Sequence, residues 1–343
     1  RSGGPAVRRP GGPAARRSGG PAAGPGRLWQ PPGQAAMPAT GPVSAPGVGK
    51  GDMDIRAILM GLVFAFMWSS AFTSARMIVL AAPPLTALSL RFLLSGLIGV
   101  AIALALGQSW RLDRVQKRAT IVFGVMQNAA YLGFNFVAMQ WVAASVAAII
   151  ASTMPLIVAF AGWTLLGERL KTAGILGLIA GFAGVGVIMG PRLAGGLDPL
   201  GVALCVAGAI ALAVATLSVR GASSGGNLLM IVGLQMLVGS AVLAVPAVLF
   251  ETWEVTWSLQ LVLAFLYTTL VPGLAATWVW FALVGRIGAV RASTFHFLNP
   301  VFGVAVAAVF LGEGLGWADL AGVVIVAGGI LAVQRARMPG GRA

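Results

Sequence analysis

From position 57 onward the chain alternates long apolar runs with short polar connections. Ten runs can be drawn, at roughly 57–79, 84–106, 119–140, 143–166, 172–190, 199–219, 228–250, 259–284, 289–311 and 317–334. Each is near the ~20 residues that a helix needs to cross the hydrocarbon of a bilayer. Ala, Gly and Leu are mixed with β-branched and aromatic residues. No ten-residue alternation of apolar and polar positions occurs, which argues against a membrane β-barrel. The pattern predicts an all-α membrane protein with ten transmembrane helices.

The flanks lack such runs. Residues 1–52 form a basic leader rich in Gly, Pro, Ala and Arg, with no acidic residue in its first 50 positions. Such a segment buries too little apolar surface to offset its ordering entropy and is expected to be disordered. The chain opens on Arg1, and Met53 begins MDIRAILMGLVFAF, which reads as a native start. The leader is therefore set apart from the fold. Residues 338–343 form a short tail.

Within the runs one stretch occurs twice. ASVAAIIASTMPLIVAFAGWTLLGERL begins at Ala144, and VRASTFHFLNPVFGVAVAAVFLGEGL begins at Val290. Pro155 precedes Glu168, and Pro300 precedes Glu313, by the same 13 positions. A shift of 145 also lays Ala147 on Ala292, Gly167 on Gly312, Gly177 on Gly322, Gly184 on Gly329 and Phe136 on Phe281. A shift of 144 lays Arg91 on Gln235. Shared spacing over such a distance marks an internal repeat. Five runs per half make an odd number of crossings, so the second half enters from the other side and the repeat is inverted.

The doubled pattern of Pro, twelve residues and Glu, ending in Leu-Gly-Glu on ten spans in two halves, resembles the drug/metabolite transporter (DMT) superfamily. Within it, the chain is similar to the EamA-type family over about residues 55–335. The resemblance implies a ten-helix bundle of two inverted five-helix repeats, at 53–190 and 191–337. It also implies export or exchange of small metabolites across the bacterial inner membrane. The aromatic character of runs three and eight is similar to that of exporters of aromatic and neutral amino acids.

Composition agrees with a lipid environment. The chain is 58% hydrophobic and 9% charged, against about 25% charged for soluble domains. The formal net charge of +14 does not point to nucleic acid, because seven of the 23 basic residues lie in the first 50 positions. Most of the rest lie in short connections. Arg111, Arg114, Lys117, Arg118, Arg169, Lys171, Arg220, Arg286, Arg291, Arg335 and Arg337 fall on one side. Glu251, Glu254, Glu313, Asp319 and Arg192 fall on the other, with Arg76 near its membrane edge. By the positive-inside rule both termini are expected in the cytoplasm. Cys205 is the sole cysteine and has no intrachain partner.

Polar residues inside a lipid-solvated span are costly unless they face the bundle interior or a wet path. In run three, Asn128, Tyr131 and Asn135 fall at i, i+3 and i+7 on one helix face, with Gln127 beside them. That stripe either lines a substrate cavity or bonds neighbouring helices together. In run nine, His296, the single histidine, and Asn299 precede Pro300 and are candidates for substrate or proton contact. In the matching part of run four, Ser152 and Thr153 precede Pro155; their hydroxyls face the cavity or bond back to helix carbonyls. Pro155 and Pro300 remove backbone donors and are expected to act as hinges. Trp68 and Trp278 lie deep in their runs and are candidates for stacking on substrate, with core packing the competing reading. Arg91 is expected to snorkel to the membrane surface, its alternative being a substrate carboxylate. Glu168 and Glu313 at span ends are expected to cap or anchor helices.

No Asp or Glu lies in the middle of a run. A proton-driven exporter of cationic drugs needs such a carboxylate, so the absence favours a neutral or zwitterionic substrate, moved by facilitated diffusion or by coupling through His296. Against a membrane enzyme stand the missing Gly-x-Ser-x-Gly elbow and His-Glu-x-x-His site. Neither a metal nor a cofactor is implied. A structural or signalling bundle would need neither a polar stripe nor inverted halves. The expected partners are thus a small-molecule substrate and membrane lipid, and ten spans suffice for a monomer to enclose a path.

Overall fold

The computed structural model describes residues 3–4 and, from 55 to 337, all but 166, 168–170, 195, 219–226, 288–291 and 293. The leader apart from residues 3–4, the tail and Glu168 therefore lie outside the described residues. The chain divides into two units, Arg1–Gly51 and Asp52–Ala343, and the second holds the helical bundle.

Ten helices among the described residues are long and apolar enough to cross a membrane. They are α1 (Ile55–Val79), α2 (Pro84–Ala105), α3 (Arg114–Ala138), α4 (Ala144–Thr164) and α5 (Thr172–Pro191), then α6 (Pro199–Ser218), α7 (Leu228–Phe250), α8 (Leu259–Val284), α9 (Thr294–Leu311) and α10 (Trp317–Ala336). No strand occurs among the described residues. Helix α3 starts five residues before its apolar run. There Asp113 accepts from the Gln116 backbone N–H while the Gln116 side chain accepts from the Asp113 N–H, a capping box. Proline opens α2 and α6, where its missing N–H costs no intrahelical bond.

Packing follows the inverted repeat. Three pairs cross at its pseudo-twofold: α2 with α7, α4 with α9, and α5 with α10. The others come in matched pairs, α1–α8 with α6–α3 and α1–α9 with α6–α4. Small residues make the axial crossings close. A Cβ on Gly177 would lie 2.9 Å from the Gly329 carbonyl oxygen, and one on Gly184 would lie 3.0 Å from that of Gly322. These are the glycines that the 145-residue shift superposes, so each contact is the image of the other. In α2–α7, the Ser89 hydroxyl donates to the Ser240 carbonyl (3.0 Å) and the Ser240 hydroxyl to the Ser89 carbonyl (2.8 Å). Close approach of small residues and hydroxyl bonding hold helices together where no hydrophobic drive exists between them.

Helix α4 is the most enclosed span, with 72% of its apolar stretch buried, against 39% for α7. The surrounding spans turn a second apolar surface outward. Leu59, Phe66, Leu97, Val248, Val309 and Val324 are all exposed. In water such a surface would aggregate, whereas in a bilayer it is the solvated face.

Two spans are not plain α-helices. α3 is π-helical over Gly124–Tyr131 and α8 over Thr269–Ala275, and the 145-residue shift takes the start of one onto the start of the other. Two further spans break at their prolines. α4 interrupts at Thr153, just before Met154 and Pro155, and α9 begins with a 3₁₀ segment, Thr294–Leu298, before Asn299 and Pro300. The four irregular spans are thus α3, α4, α8 and α9, two from each half.

Candidate functional site

A cavity of about 50 Å³ opens between the halves. It is lined by Trp68, Ala71, Phe72 and Ala75 of α1, Arg91 of α2, Gln127, Tyr131, Leu132, Asn135 and Phe136 of α3, Met139 just beyond it, and Pro272 of α8. Both π-helical segments contribute to the wall, through Gln127 and Tyr131 in one and Pro272 in the other. Single π turns inside α-helices recur at functional sites. Four aromatic side chains, two amides and one guanidinium make up its chemistry. A water needs roughly 10–15 Å³ of such space, so this form admits a few waters and is narrower than the ~300 Å³ of a typical ligand pocket.

The α3 stripe divides at its π segment. Residues in a π turn advance by less angle than in an α turn, so positions before and after it do not share the face that a 3.6-residue period predicts. Tyr131 and Asn135 reach the cavity; both are buried. The Asn135 Nδ2 donates to the Tyr131 carbonyl at 2.8 Å, and its Oδ1 has no partner among the described residues. Asn128 points instead at α7, where its Nδ2 donates to the Gln235 carbonyl at 2.9 Å. Asn128 therefore ties α3 to α7 and does not line this cavity.

Arg91 does not snorkel. Its side chain is 6% exposed, and its Nε donates to the Thr268 carbonyl at 3.2 Å. Pro272, four residues on in α8, has no N–H for an α-helical bond to that carbonyl, which stands at the start of the π segment. The guanidinium also lies 5.1 Å from the Phe92 ring centre. No carboxylate lies within 4 Å of it among the described residues. Its part in the cavity wall was legible in sequence only as a charge inside an apolar run.

His296 and Asn299 sit behind Trp68 and do not line the cavity. The Asn299 Nδ2 and the His296 Nδ1 lie 3.0 Å apart, within hydrogen-bond reach. The ring is enclosed by Phe64 (5.4 Å between centroids), Trp280 (5.2 Å) and Trp68 (6.4 Å). Asn299 also accepts at its carbonyl from the Ser69 hydroxyl (3.2 Å), and its Oδ1 is buried without a partner among the described residues. Trp68 thus joins this aromatic nest to the cavity.

Two further candidates fall elsewhere. Thr153 is buried, but its hydroxyl donates back to the Ile150 carbonyl at 2.7 Å, and that of Ser152 to the Ala148 carbonyl at 2.6 Å. Both are consumed by their own helix at the break before Pro155. Trp278 is 67% exposed. Ala276, Trp280 and Leu283 take the packed side of α8, and at ~100° per residue position 278 points away from them. Its ring belongs to the lipid-facing surface.

Glu313 caps a helix, though not the next one. Its carboxylate accepts from the N–H groups of Ala144 (2.7 Å) and Ser145 (3.0 Å) at the start of α4. Glu251, after α7, does the same for α2 through the Leu85 N–H, the Thr86 N–H and the Thr86 hydroxyl, each at 2.7 Å. Each carboxylate joins the second half to the first at a helix N-terminus, where negative charge is favoured.

Comparison with known proteins places this architecture. The family model described as EamA-like transporter family matches residues 55–190 and again 199–334. The uncharacterized transporter YvbV of Bacillus subtilis is 25% identical, over 81% of this chain and 92% of its own. The aromatic amino acid exporter YddG of Ancylobacter novellus is 31% identical over 139 residues, covering 40% of this chain and 48% of its own. A solved crystal structure superposes with a TM-score of 0.60 at 23% identity, over 83% of this chain and 99% of that one; that likeness concerns the fold alone.

Proposed function

Because the chain belongs to the EamA-like transporter family, we propose that it exports small neutral or zwitterionic metabolites, amino acids above all, across the bacterial inner membrane by alternating access. The observation that carries this reading is the cavity itself, walled by α1, α2 and α3 of one half and by Pro272 of the other. A site at the seam of two inverted repeats is exposed to either side when one half rocks against the other. The aromatic lining suits a cargo with an apolar or aromatic body. The exporter YddG, named for aromatic amino acids, is in keeping with it.

Residues 53–190 and 191–337 are the two halves that move. Trp68, Tyr131 and Asn135 contact cargo, while His296 and Asn299 support Trp68 from behind. Pro155 and Pro300 lie at breaks in α4 and α9, which pack on one another, and are the hinges. The narrow cavity widens through them to admit cargo. The excess of Lys and Arg on one side puts both termini in the cytoplasm, and the protein acts as a monomer.

The test is reconstitution. Proteoliposomes loaded with unlabelled amino acid should take up the labelled compound by counterflow, saturably, for at least one of phenylalanine, leucine and alanine. Failure to move any neutral amino acid would reject that substrate class.

A further inference from the structure

We propose that Arg91 anchors a free carboxylate on the cargo and that Asn135 accepts from its ammonium group, so the cavity selects zwitterionic α-amino acids over their amides and amines. This rests on the transport reading and narrows its substrate class.

The cavity wall carries a donor without an anion and an acceptor without a donor. Arg91 is more than nine-tenths buried and lines the cavity, yet no carboxylate lies within 4 Å of it among the described residues. A guanidinium keeps its charge in proteins and presents five N–H donors in a planar fork. One of these, on Nε, is held by the Thr268 carbonyl. That bond fixes the plane of the fork. The Nη groups remain, and two parallel N–H donors match the two oxygens of a carboxylate. Placing a lone cation inside a membrane bundle is costly, and an anion brought by the cargo offsets that cost only while it is bound.

Asn135 supplies the other half. It is 0% exposed, its Nδ2 is committed to the Tyr131 carbonyl, and its Oδ1 is buried with no partner among the described residues. A carbonyl oxygen left in that state suits an ammonium N–H. Tyr131 and Trp68 line the same cavity, and aromatic rings also attract cations. Zwitterions carry both complements on one carbon.

The repeat argues against a purely structural arginine. The 144-residue shift sets Gln235 of α7 against Arg91 of α2, so the charge stands in one half only. The close α5–α10 crossings, by contrast, come as images of one another, Gly177 on Gly329 and Gly184 on Gly322. A site built to hydrogen-bond a group discriminates strongly against analogues that lack it, because its own polar atoms are then left unpaired.

The experiment uses the full chain and four probes: L-phenylalanine, L-phenylalaninamide, phenethylamine and 3-phenylpropionate. Ligand-induced thermal stabilisation in detergent reads binding, and counterflow in proteoliposomes reads transport. Wild type should bind phenylalanine about 10- to 100-fold better than its amide or phenethylamine, the loss expected for one charge-assisted bidentate contact. Arg91→Gln should abolish that preference. Asn135→Ala should weaken phenylalanine while leaving 3-phenylpropionate unchanged. Equal binding of phenylalanine and its amide by wild type overturns the proposal, as does a preference that survives Arg91→Gln. Absence of stabilisation by every neutral amino acid also overturns it. If Arg91→Gln fails to fold, the wild-type comparison decides alone. Arg91-dependent binding without counterflow would uphold the anchor and reject the transport reading. Counterflow that ignores the carboxylate would do the reverse.

Discussion

The bond from Asn128 to the Gln235 carbonyl has a measurable worth in isolation from the cavity. Side-chain bonds between membrane helices average about 0.6 kcal/mol and reach about 1.7. Asn128→Ala should therefore lower stability by roughly 0.5–1.5 kcal/mol, read by equilibrium unfolding in detergent, and leave the apparent KM for transport unchanged. Trp278→Ala, at a lipid-facing position, should change neither cargo affinity nor selectivity. A change in KM for the Asn128 variant would return that residue to the cavity wall. The residue-level reading of the sequence was partial for a definite reason. Polar residues in apolar runs identify groups that need partners, but the partner is set by which way the helix is rotated. For Asn128, Thr153 and Arg91 the deciding atoms belong to carbonyls, of Gln235, Ile150 and Thr268. Every residue carries a backbone carbonyl, so none leaves a mark in sequence.

Helix α10 offers a paired test at adjacent glycines. A Cβ on Gly329 would lie 2.6 Å from the Gly181 nitrogen and 2.7 Å from the Gly177 oxygen, both backbone atoms that cannot swing aside. One on Gly328 would meet nothing within 4 Å. Gly329→Ala should thus force α5 and α10 apart and destabilise by about 1–3 kcal/mol, as overpacking does. Gly328→Ala should be neutral, or stabilising by up to about 1 kcal/mol through helix propensity. Thermal unfolding of the two variants in one detergent checks the contrast, and equal effects would refute the close crossing. At this scale the repeat was legible, since Gly177, Gly184, Gly322 and Gly329 stand out as matched positions. The π segments were not. Pro272 marks the one in α8, but Gly124–Tyr131 contains no proline, and the extra residue it accommodates depends on how α3 meets α6 and α7.

For the molecule as a whole, Glu251 and Glu313 matter most, because each carboxylate of the second half clips a helix N-terminus of the first. Both sit where odd-numbered spans end, on one face of the bundle. Removing such a cap costs about 0.5–2 kcal/mol. The double variant Glu251→Ala/Glu313→Ala should destabilise by about 1–4 kcal/mol in total. If the two clips hold that face shut, a cysteine placed at Ala71 in the cavity should also react faster with a membrane-impermeant thiol reagent applied from that face. Unchanged reactivity would mean that the clips brace the loops without gating the path.

Apolar period and run length determine that this chain lives in lipid as ten helices, because a membrane leaves the backbone no other way to satisfy its own hydrogen bonds. Repeat spacing then fixes two inverted halves, since an odd number of crossings admits nothing else. Tertiary structure alone decided which polar atoms face the hollow and which are spent on a neighbouring backbone. Helix rotation, two π turns and the carbonyl beside Pro272 made that choice, and for Asn128 and Arg91 the deciding contacts join residues more than a hundred positions apart, where no local pattern can record them.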